Sequence, residues 1–165
     1  MGNVHRSRLA EAYAKSRMHE KWDVTSSGVR GDTYPSDYLS PWARILGHQH
    51  GISQWFSPTT ATTSDAVFRR NDIIVFMGKD VYDKASQEHD FNRLKCLVWN
   101  IKDREDWGGK LRLRDKRRRT FSDIKRHVDR LIRDVHRGGW VDVVDEQNRT
   151  LGFSLPVSLA NINGA

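Results

Sequence analysis

The sequence predicts an α/β fold: a parallel sheet flanked by helices in three layers. Three observations carry this. Asp72 to Met77 (DIIVFM) and Cys96 to Ile101 (CLVWNI) are near-continuous apolar runs, the pattern of strands covered on both faces. Thr120 to Arg137 places Phe121, Ile124, Val128, Leu131, Ile132 and Val135 on one helical stripe, closed by Gly138 and Gly139. Helix-like segments alternate with the two apolar runs, as strands joined by helical crossovers require.

The elements follow in order. Ser7 caps a helix that runs through Leu9, Ala10, Ala12 and Tyr13 to about Met18. Lys21 to Val29 alternates Trp22, Val24 and Ser26 and reads as a short strand ending in a turn at Gly28. Asp32 to Pro41 is loop, rich in Pro, Ser and Asp. Pro41 suits the first turn of a helix from Trp42 to about His50, ended by Gly51. Thr63, Ser64 or Asp65 caps a short helix through Arg70, and Val81 to about His89 is helix-like. Trp140 to Val144 and Thr150 to Leu155 read as a C-terminal β-hairpin around Asp145 to Arg149, followed by a frayed tail.

Composition excludes several classes. The chain has 165 residues, one domain's worth. Lys plus Arg is 28 against 21 Asp plus Glu, a net charge of +7. No apolar run is long enough to cross a membrane, and the first residues have no apolar signal segment. The single cysteine, Cys96, excludes a disulfide framework and a Cys-rich zinc site. Six Trp, six Phe and four Tyr supply a packed core. The expectation is a soluble, basic, cytoplasmic protein without a bound metal or cofactor.

The chemistry concentrates at the N-terminus. Gly2-Asn3-Val4-His5-Arg6-Ser7 precedes the first helix. A Gly-Asn turn that feeds backbone N–H groups into a helix N-terminus is anion-binding geometry. Arg6 adds a fork of donors that holds two phosphate oxygens, and Ser7 adds a hydroxyl. The plainer reading of the same hexapeptide is a solvated terminus with a capping serine.

GNVHRSRLAEA resembles the signature of the low-molecular-weight protein-tyrosine-phosphatase family, C-x-G-N-x-x-R-S-P followed by M-A-E-A. Gly2, Asn3, Arg6, Ser7, Ala10, Glu11 and Ala12 match. The resemblance continues collinearly to about residue 137. Val24 to Val29 resembles the second strand, His50-Gly51-Ile52 the H-G-I at a helix end, and Asp72 to Met77 a later strand. Val98 to Asp103 resembles the strand and loop carrying the catalytic D-P, and Phe121 to Leu131 the final helix. It implies a phosphatase-like domain over 1–137, with the hairpin and tail of 138–165 as an extension.

The resemblance implies a two-step hydrolysis of a phosphomonoester through a phosphocysteine. Backbone N–H groups from Gly2 to Arg6, Val4 and His5 included, hold the non-bridging oxygens, and Arg6 clamps the equatorial ones. Ser7 donates to the thiolate and Asn3 braces the loop. Asp103 protonates the leaving oxygen and then activates water, with Asp106 as the alternative. Arg104 stands where the family has proline, Arg8 replaces the proline at the helix start, and His5 replaces a common second cysteine. Trp107 and Tyr34 are candidates for the aromatics that grip the substrate.

The family's nucleophilic cysteine sits six positions before its arginine, which falls immediately before Met1. The expectation is therefore an N-terminal truncation lacking the first strand and the nucleophile, so that these residues alone are inactive. Cys96 does not replace it, because it lies in an apolar run with no Gly-rich turn or arginine after it. The expected partner is a phosphorylated protein or a small phosphomonoester. Two rival readings remain: a non-catalytic module that binds phosphoryl groups or acidic partners, and a small nucleic-acid-binding protein. The last rests on Lys110 to Arg119, with seven basic residues in ten. That run is read either as a solvated loop leading into the last helix or as a patch that steers acidic partners.

Overall fold

A computed structural model describes residues 3–18, 21–103 and 112–138. Helix α1 (Arg6–Met18) comes first. Helix α2 (Pro41–Gln49) begins with proline, whose fixed φ suits the first turn. The Ser40 hydroxyl caps α2 by accepting from the Ala43 N–H at 3.2 Å. Gly51, at φ +66°, lets the chain turn away after it. A short helix α3 (Asp65–Arg70) leads to strand β1 (Ile74–Phe76), helix α4 (Lys79–Glu88) and strand β2 (Cys96–Val98). The strands pair in parallel, Ile74 opposite Cys96 and Phe76 opposite Val98. Helix α5 (Leu113–Gly138) closes the described chain.

The alternation of side chains along a strand builds two cores. Leu97 points into one with Leu9, Leu46, Phe121, Ile124 and Val128, under α1, α2 and α5. Cys96, Val98, Ile74 and Phe76 point into the other, with Phe68 and Tyr82 from α3 and α4. A small parallel sheet is thus flanked by helices on both faces, as the apolar runs predict. Tyr13 fastens α1 to α5. Its ring meets Phe121 edge-on at 6.1 Å, and its hydroxyl donates to the Asp129 carboxylate at 3.0 Å.

Three expectations need correction. Residues 21–29 form no strand in the described structure: the segment is irregular, and Gly28 makes an isolated bridge to Thr62. A strand needs a neighbour to take its N–H and C=O groups, and among the described residues β1 pairs only with β2. A cavity of about 910 Å³ runs between Val24–Ser27 and β1, floored by Val128, Leu131 and Val135 of α5. The second correction concerns α5. It begins at Leu113, so most of the basic run is helix rather than loop. Arg and Lys are good helix formers, and the charge disguised that. The strands are also shorter than the apolar runs, each three residues long. The predicted C-terminal hairpin lies outside the described residues.

Arg8 and Glu11 sit in α1 almost fully buried, at 2% and 3% exposure. The Arg8 guanidinium donates to the Ser57 and Thr59 carbonyls. Glu11 accepts from Lys15 at 2.6 Å and from the hydroxyls of Ser26 and Ser57. Burial lowers the Arg8 pKa, and the Glu11 charge opposes that. Arg8, standing where the family pattern has proline, thus ties α1 to residues 57–59.

Candidate phosphoryl-binding site

The loop before α1 forms the site. Asn3 takes a left-handed conformation, φ 52°, which asparagine tolerates better than most residues. It is buried, and its amide donates to the Ser26 carbonyl at 3.1 Å. Ser7 donates its hydroxyl to the Asn3 side-chain oxygen at 2.7 Å. Ser26 in turn donates to Glu11 at 2.5 Å. The loop is therefore pinned from Ser7 through Asn3 and Ser26 to a buried carboxylate. The Val4 carbonyl accepts from the Ser40 N–H at 3.0 Å, and His5 Nδ1 lies 2.8 Å from Ser40 Oγ. His5 is thus held by the α2 cap.

The N–H groups of Val4, Arg6 and Ser7 have no acceptor among the described residues. They open the positive end of a 13-residue helix. Arg6 donates to the Ile101 carbonyl at 2.6 Å, and its Nε lies 3.5 Å from Asp103 Oδ2. The chain after β2 therefore carries Asp103 to the loop. Arg6 is 14% exposed and Asp103 38%, so the arginine is held while the carboxylate faces the opening. Asn100, at φ 48°, makes the bend that brings this about and caps the Lys79 N–H at 3.1 Å.

The structure brings together Asn3, Val4, His5, Arg6, Ser7 and Asp103 around one cavity. Tyr34 lines it too, stacked on Tyr38 with ring centroids 5.2 Å apart. Gly2, Asp106 and Trp107 lie outside the described residues. Sequence reasoning did not find Arg117 and Trp42. Both line this cavity, the guanidinium stacked 4.0 Å over the indole. Arg117 was hidden within a run of like charges, and nothing local marks one arginine of such a run as inward-facing. Cys96 lies in the second core, where burial pushes its thiol up to about 12 against the weaker pull of Arg93. Among the described residues no cluster of His, Cys, Asp or Glu could hold a metal ion, and no helix is long and apolar enough to cross a membrane.

Comparison with solved structures identifies the fold. A low-molecular-weight phosphotyrosine phosphatase of Vibrio cholerae superimposes with a TM-score of 0.70 at 15% identity, covering 84% of this chain and 94% of its own. The fold is that of the low-molecular-weight tyrosine phosphatases. Vibrio vulnificus Wzb, solved with benzylphosphonate, matches with a TM-score of 0.65 at 15% identity over 78% of this chain and 90% of its own. An arginine phosphatase of Geobacillus stearothermophilus matches at 0.63 and 17%, over 84% and 92%. By sequence, no family model matches, and no curated protein is significantly similar.

Proposed function

We propose that the Asn3–Ser7 loop holds a phosphoryl group and that the site is a phosphomonoester hydrolase of the protein-tyrosine-phosphatase type. The observation that carries this is the 3.5 Å approach of Arg6 to Asp103, a clamp and an acid from distant parts of the chain meeting at a loop of open N–H groups. The N–H groups and Arg6 take the phosphoryl oxygens. Asp103 gives its proton to the leaving oxygen and later takes one from water. A thiolate supplied by a cysteine N-terminal to Met1 attacks phosphorus and forms the phosphocysteine. The cavity beside β1 supports this, because its apolar lining suits an added parallel strand leading into the loop.

The N-terminal peptide of the protein made from its own gene tests this first. A peptide reaching upstream of Met1 and carrying cysteine just before it supports the hydrolase, which should turn over p-nitrophenyl phosphate. Arg6→Ala in that product should lower turnover by at least about a hundredfold, the scale of losing a main oxyanion donor. Undiminished turnover in Arg6→Ala would sink the assignment. A natural chain starting at Met1 that still binds vanadate favours the non-catalytic module.

A further inference from the structure

The cavity does not end at the cradle. Arg117 and Trp42 form its wall where α2 meets α5, and the next residue of α5, Arg118, opens a second, smaller cleft. This cleft, about 360 Å³, lies along the α2–α5 seam and is lined by Gln49, His50, Arg118, Phe121, Ser122 and Lys125. The His50 and Phe121 rings lie 4.8 Å apart, and Lys125 Nζ sits 5.4 Å from the Phe121 centroid. Neither Arg118 nor Lys125 pairs with a carboxylate among the described residues. The nearby acids are engaged: Asp115 by Arg114, Asp123 by Arg126. Arg118 and Lys125 thus face one cleft on this seam, one residue along α5 from the Arg117 wall of the phosphoryl site.

We infer that the α2–α5 seam binds the acidic residues flanking a phosphorylated side chain held in the cradle, so that the preferred substrate is an acidic phosphoprotein. This rests on the phosphoryl-binding reading of the Asn3–Ser7 loop. Burial, aided by the charges of Lys125 and Arg118, holds the His50 imidazole below its usual value. An incoming carboxylate offsets the part due to those charges and raises the pKa. Clustered cations without acids form a field that attracts and orients an acidic chain. Nucleic acid fits less well. The cradle receives a phosphoryl group at the end of a side chain, whereas each phosphate of a nucleic-acid backbone carries two ester arms.

The experiment titrates the full chain with labelled phosphotyrosine peptides that differ only in their flanks, Asp and Glu against Asn and Gln. Inorganic phosphate is titrated in parallel, and the His50 ring signals are followed by NMR. The acidic peptide should bind about fivefold tighter at low salt, the scale of two exposed ion pairs. It should also raise the His50 pKa. An Arg118→Ala, Lys125→Ala double variant should lose that preference and keep its phosphate affinity. Equal affinity for the two peptides, with phosphate still bound, overturns this proposal alone. So does equal competition by an unphosphorylated acidic peptide or by a single-stranded RNA, which makes the seam a general polyanion surface. A chain that binds no phosphate overturns the cradle reading and this proposal together.

Discussion

Cys96 and His127 show how position in the fold sets the chemistry of single residues. The Cys96 thiol is buried at 2% exposure, and its pKa rises to about 12. The thiolate is the nucleophile, so at pH 8 iodoacetamide should modify folded Cys96 at least about a thousandfold more slowly than a free thiol. Fast labelling, read by intact mass before and after unfolding in urea, would contradict this placement. His127 stacks on Trp99 at 5.3 Å. Burial holds its pKa below 6.5, helped by Arg126 and Arg130 and opposed by Asp123. The unfolded chain therefore takes up a proton near 6.5 that the folded chain refuses until lower pH. Stability is fully present above that value and falls as the pH drops from there toward the folded pKa. His127→Gln should lose less Tm than the wild type between pH 7.5 and 5.5, and a parallel loss would remove His127 as a cause. The single thiol in an apolar run already points to a buried core residue. The position of His127 beside Trp99 needs the packing of α5 on the chain after β2, which no local pattern carries.

Among the elements, α2 shows how a helix end positions a site. Ser40 caps α2 by accepting from the Ala43 N–H, and it meets both His5 and the Val4 carbonyl. Ser40→Ala should cost about 1 kcal/mol of stability from the lost cap. It should also weaken vanadate binding, because His5 loses its partner. A denaturant melt and a vanadate titration on the same variant separate the two, and unchanged vanadate affinity would show that the cap does not hold the loop. Helix α1 is legible from its Ala-rich body, although it begins at Arg6, and Ser7, the expected cap, lies inside it and donates to Asn3 instead. Helix α2 is legible from Pro41 and Gly51. The start of α5 is less so, because turn residues and charges before Thr120 resemble loop, while Thr120 itself is buried and donates to the Lys102 carbonyl at 2.9 Å. The charged pair Arg8 and Glu11 is unreadable in advance: burial of charge is tolerable only when distant partners, here at Ser26 and residues 57–59, receive it.

Over the whole molecule, the cavity beside β1 interrupts the packing between the chain at Val24 and helix α5. Val24, Ile73, Val75, Leu131 and Val135 border it and are only half-buried, although their types belong to a core. The chain beginning at Met1 should therefore bind the dye ANS, and a natural product extended upstream by an apolar strand should bind much less and melt higher. Equal dye binding by the two forms would show that the cavity is not where an upstream strand sits. The sequence by itself determined which segments are helices, which two runs form the parallel strands, and that a Gly-Asn turn with Arg6 and Ser7 stands at a helix start. These are local properties: periodicity, caps, turn residues and the ordering of matches along the chain. Tertiary structure alone decided that Arg6 and Asp103 meet, that Arg117 turns inward onto Trp42, that residues 21–29 form no strand among the described residues, and that Arg118 and Lys125 face one cleft with His50. Each depends on contacts between residues far apart in the chain, and a charge or an extended backbone acquires its role only from the neighbour that folding supplies.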